Sequence, residues 1–279
     1  MSRAWRNRLF KGAMIACLAI SFGVLGILLV DTLITGLPEL DWQLLTGDPS
    51  SLAEEAGGRA AILATLYLAV IVLVLSVPIG VATAVYLEEY ANRQRWYNRL
   101  IEVNIQNLAA VPSIVYGILG LAFIVRGLNL GRVVLAGGLI LTLVVLPTVI
   151  VAAREAIRAV PDSIRQGGFA LGATKWQVVS RQVLPASIPG IATGSILALS
   201  RAVGETAPLI MVGAVTYVAF NPTLLGAYTA LPVQIYNWTK QPDTTFQTLA
   251  AAAAIVLLVL VLSMNAIAIF LRNRYRQNW

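Results

Sequence analysis

The feature that most restricts this chain is a set of long runs without a single charged residue. They occur at Gly12–Val30, Ala60–Leu87, Val103–Val125, Val133–Ala153, Ile188–Ser200 and Thr244–Leu271. A helix of roughly 20 apolar residues crosses about 30 Å of hydrocarbon, so each run is a candidate membrane span. The fifth is shorter, is interrupted by Arg201 and Glu205, and continues to about Tyr217. Six transmembrane helices in an all-α membrane protein are therefore expected.

Composition agrees and removes other classes. Hydrophobic residues make up 58% of the chain and charged residues only 12%, whereas a soluble domain carries about a quarter of its residues charged. Lipid must cover much of the surface, and the bilayer is the first partner. There is no histidine, and Cys17 is the single cysteine. That excludes a disulfide framework, a Cys/His metal site and imidazole acid–base chemistry. Cys17 lies in an apolar run and reads as a small packing residue. The net charge of +7 is not gathered into a face that would bind nucleic acid.

The cations instead set orientation. One side receives Arg3, Arg6, Arg8, Lys11, Arg93, Arg95, Arg99, Arg154, Arg158, Arg165, Lys175, Arg181, Arg272, Arg274 and Arg276. The other receives Arg59, Arg126, Arg132 and Lys240, with the acidic loop of Glu39, Asp41, Asp48, Glu54 and Glu55. Cytoplasmic loops carry the excess of Lys and Arg, which places both termini in the cytoplasm. The basic start and apolar core resemble a signal peptide, but the apolar segment is too long and lacks a small-residue cleavage site. It is expected to stay as the first helix. Between Val218 and Thr239, Asn221, Pro222, Gly226, Pro232 and Asn237 interrupt any span. Phe220, Tyr228, Tyr236 and Trp238 suit an interfacial or re-entrant loop there. Pro78, Pro112, Pro147 and Pro208 fall inside spans, where each removes a backbone hydrogen bond and bends its helix.

The longest loop on the basic side, about 154–189, carries its own signals. Pro161-Asp162-Ser163 starts a short helix over Ile164–Leu171, and Gly172 stands where a left-handed residue would end it. Thr174 and Gln177 form a capping box for a second helix through Trp176, Val178 and Val183, stopping near Leu184 before Pro185. This helix–glycine–helix element either packs on its own protein as a surface hairpin or docks a soluble partner.

The run Gln166-Gly167-Gly168-Phe-Ala170-Leu171-Gly172-Ala173-Thr174-Lys-Trp176-Gln, followed by Val183-Leu184-Pro185, resembles the EAA loop of ABC importer permeases. Gly172, Leu184 and Pro185 match that pattern in register, while Gln166, Gly167, Gly168 and Gln182 depart from it. The resemblance implies that this loop inserts into a groove of a separate ATP-binding subunit. None of the lysines (Lys11, Lys175, Lys240) lies in a phosphate-binding loop, so the chain has no Walker A motif. It is therefore expected not to be an enzyme and to bind no cofactor; ATP and Mg would be used by the partner.

Arg201 lies about half a bilayer into the fifth span, where a lone arginine costs roughly 2.5–3.5 kcal/mol on insertion scales. Glu205 is four residues on and shares its helix face. The pair is either a buried ion pair that fixes helix packing, or a site where Arg201 offers donors to an oxyanion while Glu205 holds the guanidinium. Gly204 and Pro208 bracket Glu205 as a hinge, with Thr206 beside it.

The segment Ser200-Arg-Ala-Val-Gly-Glu-Thr-Ala-Pro-Leu209 closely resembles the hallmark of phosphate ABC transporter permeases of the PstA type. So do Val103-Asn-Ile-Gln-Asn107, Val111-Pro-Ser-Ile-Val-Tyr-Gly117, Ala136-Gly-Gly138 and Gln234-Ile-Tyr-Asn-Trp238. The likeness covers about residues 60–271 and implies a type I ABC importer permease fold with cytoplasmic coupling helices. It divides the chain into a first helix and acidic periplasmic loop (1–59), a permease domain (60–271) and a basic cytoplasmic tail (272–279). It further implies a bacterial inner-membrane complex with a PstC-type permease, two PstB-type ATPase subunits and a periplasmic or lipid-anchored phosphate-binding protein. Phosphate would pass Arg201, Glu205 and Thr206. An importer for sulfate, molybdate or a phosphonate is the nearest alternative; a membrane enzyme or a channel is a more distant one, since the mid-span sections hold no other titratable cluster.

Overall fold

The computed structural model describes residues 3–92, 94–214 and 221–274. Arg93, Tyr217, Phe220 and Arg276, which entered the reading of orientation, of the fifth span and of the loop after it, lie outside the described residues. Among those described, the chain is built from helices alone. α1 (Arg3–Gly36) is followed by a compact loop whose one short α-helix, α2 (Trp42–Thr46), is capped by the Asp41 side chain accepting from Leu44 N–H. Then come α3 (Arg59–Val85), extended by a π-helical turn over Tyr86–Tyr90, and α4 (Trp96–Ala109). α5 (Ser113–Gly120) likewise continues as a wide turn over Leu121–Gly127, and α6 spans Val134–Arg158. The remaining elements are α7 (Asp162–Ala170), α8 (Lys175–Val178), α9 (Leu184–Gly204), α10 (Ala207–Val212), α11 (Leu231–Thr239) and α12 (Thr244–Arg274).

Five helical stretches are long and apolar enough to cross a membrane, and the pair α4–α5 makes a sixth if it counts as one span. The six-span expectation stands, but the third span is not the straight helix expected over Val103–Val125. It is bent by 104° between Ala109 and Ser113. Pro112 causes the break: it has no N–H to continue the ladder and drives Val111 out of the helical region. Pro78 and Pro147, by contrast, sit inside unbroken helices.

α6 is the central element, packed against both α3 and α9, which also touch each other. Leu68 and Val72 of α3, Leu141, Val145 and Val149 of α6, Ala198 and Ala202 of α9 and Leu209 of α10 share one buried core. Tyr228 and Val233 close it from the segment after α10, where α11 is a short helix of nine residues and no span. That segment is largely buried rather than interfacial. Leu231 N–H donates to the buried Thr65 hydroxyl at 2.9 Å, so the loop's polar backbone is satisfied by protein. α1 leans on α12, and its apolar side chains stay uncovered along nearly the whole helix. Water would not tolerate such a surface; lipid or another subunit would.

A second difference concerns the end of the 154–189 loop. The helix after Thr174 does not stop before Pro185 but runs unbroken from Lys175 to Gly204. Just ahead of the proline, Leu184 N–H bonds back to Val179 carbonyl across a π-helical turn, Val179–Val183. The widened turn gives the Pro185 ring room where a regular helix would press it on the carbonyl of residue 181. Leu184 and Pro185 are thus half-buried parts of the span, not of the exposed loop.

Candidate functional site

The fifth span breaks where its charges lie. Glu205 leaves the helix in an extended conformation (φ −73°, ψ 122°), and α10 restarts at Ala207 with Pro208 in its first turn. Pro208 needs no N–H partner at that position and its φ is already set for a helix, so the restart costs little. Over its described part, the expected run on past Glu205 is therefore replaced by a break at Glu205–Thr206 and a short helix ending at Val212. Arg201 Nε donates to Glu205 Oε1 at 3.3 Å. The Arg201 side chain is 48% exposed and that of Glu205 17%. Leu197, Arg201 and Gly204 lie along one uncovered stripe of α9, and a Cβ added at Gly204 would meet no atom.

The opposite face of the same turn is closed. Ala202 and Val203 pack on α3 around a cavity of about 10 Å³ lined also by Thr65, Leu68 and Val72. That is room for about one water, so an oxyanion has no enclosed site behind α9. Any anion reaching Arg201 must come along the uncovered face. An arginine held against lipid there would cost roughly 2.5–3.5 kcal/mol; a second protein surface or water removes that cost.

Two contacts hold this turn, one of them to Asn265, which the sequence did not single out. Ser200 Oγ lies 2.6 Å from Asn265 Oδ1 and donates to it, tying α9 to α12 one residue before Arg201. Gly117 of α5 meets Pro208 of α10 so closely that a Cβ there would stand 2.8 Å from Pro208 Cα. The Pro112-to-Gly117 motif is thereby explained: the proline turns the chain and the glycine admits α10.

The basic-side loop of about 154–189 forms the second half of the candidate site. α7 ends at Ala170, and Gly172 takes the left-handed conformation (φ 77°) expected of it. The Thr174–Gln177 capping box is present in both directions, at 2.8 and 3.4 Å. Gln166, Gly167, Phe169, Ala170, Leu171, Gly172, Thr174 and Trp176 are exposed, Leu171 to 87%. Gly168 is buried, Ala173 half-buried, and Val178 and Val183 pack with Ala153 and Ile157 of α6. The element packs on its own protein by one face, as one of the two readings required, and leaves an apolar, aromatic face uncovered.

At the membrane end of this loop lies an ionic junction that sequence reading missed. Arg154 Nε donates to Glu88 at 2.7 Å, and its Nη2 bonds Glu102 of α4. Arg158 donates to the other oxygen of Glu88 at 2.9 Å. Arg165 of α7 reaches Glu89 at 2.9 Å and the carbonyls of Val160 and Ile157 at 2.7 and 3.0 Å.

The chain has five candidate spans, six with the bent pair, and an exposed helical hairpin that runs directly into a broken and charged span. Residues 76–277 match the family of binding-protein-dependent transport system inner membrane components. The chain belongs to that family, and so is a multi-pass membrane component of an ABC importer, a class whose ATPase is a separate subunit. It is 30% identical over 281 residues, 95% of each chain, to the probable ABC transporter permease protein YqgI of Bacillus subtilis. It is 34% identical over 218 residues to the phosphate transport system permease protein PstA 1 of Mycobacterium tuberculosis, covering 78% of this chain and 71% of that one. Among solved structures, a bacterial alginate ABC transporter chain superimposes with a TM-score of 0.67 over 96% of both chains at 18% identity, which supports the type I importer permease fold.

Proposed function

We propose that this chain is a phosphate permease of the PstA type, one half of a translocation pathway completed by a PstC-type subunit. Two PstB-type ATPase subunits would dock on the Leu171–Trp176 face and use ATP and Mg; this chain would bind no cofactor. A periplasmic or lipid-anchored phosphate-binding protein would deliver the ion, and both termini would be cytoplasmic. The observation that carries the reading is Arg201, tethered by Glu205 at the helix break and open only on an uncovered face. Phosphate at neutral pH bears between one and two negative charges and can accept two donors from one guanidinium. Glu205 would balance Arg201 while the path is empty and release donors when the anion arrives. Gly204 and Pro208 flank the unwound residues Glu205 and Thr206, where backbone rotation changes the direction of α10 without unpacking α9.

The test is ATP-dependent phosphate uptake by proteoliposomes holding the four-component complex, wild type beside Arg201→Gln. Uptake in wild type that falls at least tenfold in the mutant, with assembly intact, is the expected result. Unchanged uptake would reduce Arg201–Glu205 to a packing pair. Absence of phosphate uptake in wild type would redirect the reading to sulfate or another oxyanion.

A further inference from the structure

The pair Arg165–Glu89 joins the docking loop to a different span from the one that continues it. We infer that Arg165 and Glu89 are positioning residues that carry movement of the docking loop into α3, and through α3 to the back of the Arg201 turn. The inference rests on the permease reading but not on which anion is moved.

The geometry runs as follows. α7 is anchored by Arg165, whose side chain is 17% exposed and whose partner Glu89 is 10% exposed. The same guanidinium bonds Val160 and Ile157 carbonyls at the end of α6, so its orientation is set independently of Glu89. A second tie comes from the other arm of the loop, where Lys175 Nζ sits 5.0 Å above the ring of Tyr90. Both ties end on the π-helical turn Tyr86–Tyr90, whose wide bonding pattern (Ala91 N–H to Tyr86 carbonyl) closes α3. A turn of this kind is rare and recurs at functional positions.

From Glu89 the helix continues inward without a break, past Pro78. Val72 and Leu68 lie 17 and 21 residues away, about 26–32 Å along a helix. There they pack against Ala202, the residue after Arg201. A displacement of α7 that keeps Arg165–Glu89 intact must therefore move α3 against α9, which the docking loop also drives directly as the first turns of the Lys175–Gly204 helix. The two routes meet at Arg201 from opposite sides. Glu88, adjacent to Glu89, extends the hold to α6 through Arg154 and Arg158, and Arg154 carries it on to α4 through Glu102.

The experiment reads whether nucleotide at the ATPase subunit is felt at α9. In the assembled complex with Cys17→Ser, Leu197→Cys places a thiol on the uncovered stripe beside Arg201, and its modification rate is compared with and without a non-hydrolysable ATP analogue. The response should be severalfold with the native pair and under twofold in Arg165→Glu or Glu89→Arg. The double reversal should restore it in part, since a carboxylate at position 165 cannot donate to the Val160 and Ile157 carbonyls, and Arg165→Gln, a milder change than either reversal, should fall between the native pair and the single reversals. An unchanged response in the single variants would overturn the inference, as would a loss that the double reversal does not repair even in part. Single variants that shed the ATPase subunit would also overturn it, because the pair would then serve docking. Absence of a response with the native pair would do the same. Failure of phosphate uptake leaves this readout untouched, so the two proposals fail separately.

Discussion

Arg154 donates through Nε to Glu88 Oε1 at 2.7 Å, and the two side chains are 7% and 3% exposed. Removing one member of a buried pair leaves the other charged and uncompensated, at a cost of about 3–5 kcal/mol. Arg158 also reaches Glu88, which puts Arg154→Ala at the lower end, about 3 kcal/mol. Glu102 keeps only the longer contact to Arg158, at 3.8 Å, in the same variant, so α4 should loosen from α6. Thermal unfolding of the purified subunit checks this; a loss under about 1 kcal/mol would show that Arg158 suffices.

Gly117 predicts a different kind of damage. A methyl group there would stand 2.8 Å from Pro208 Cα and 2.9 Å from Met211 Cβ. Overpacking of this sort costs about 1–3 kcal/mol, so Gly117→Ala should destabilise by that amount and Gly117→Leu by more. Because Pro208 follows the unwound Glu205–Thr206 segment, transport should fall further than stability. Equal retention of uptake and melting temperature in Gly117→Leu would mean that α5 and α10 separate without consequence.

The spans were legible because a charge-free run of 20 residues has few other uses. The 104° elbow was not, although its signs were present: Asn104, Gln106 and Asn107 are polar for a membrane span, and Pro112 follows them. A window read for the absence of charge passes over amides. Pro185 misled in the other direction, because a π-helical turn accommodates a ring that a regular helix would reject. The capping box and the left-handed Gly172 were readable since both depend on residues within three positions. The ionic junction depends on partners 52 to 76 positions apart, and its carboxylates looked like ordinary loop charge. Arg201–Glu205 was visible as a pair, but only the structure showed that its turn is closed behind and uncovered in front.

The docking face should depend on its backbone as much as on its side chains. Gly172 has φ 77°, and a left-handed non-glycine costs roughly 1–2 kcal/mol. Thr174→Ala removes a cap, worth about 1 kcal/mol. If the loop must hold this shape to bind the ATPase subunit, Gly172→Ala should weaken that association by roughly tenfold, at about 1.4 kcal/mol per decade. Thr174→Ala should weaken it by roughly fivefold. Retention of the ATPase subunit on the tagged permease, titrated against subunit concentration, gives both numbers. Leu171→Asp, which leaves the backbone alone and charges the most exposed apolar residue of the loop, should abolish retention.

Sidedness follows from counting crossings. Between Asp48 and Leu171 the chain runs through α3, the bent pair α4–α5, and α6. Three crossings put the two residues on opposite faces, with Asp48 outside and Leu171 inside, in line with the basic loops. In a Cys17→Ser background, Asp48→Cys should react with a membrane-impermeant thiol reagent in intact cells, and Leu171→Cys only after permeabilisation. Both positions are exposed, so reactivity reports sidedness rather than burial. Reaction of both from outside would mean that α5 turns back without crossing, leaving five spans and moving Arg126 and Arg132 to the face that carries Arg95 and Arg99. Such a chain would violate the basic-side rule at its longest loop, which is the physical reason to expect the first outcome.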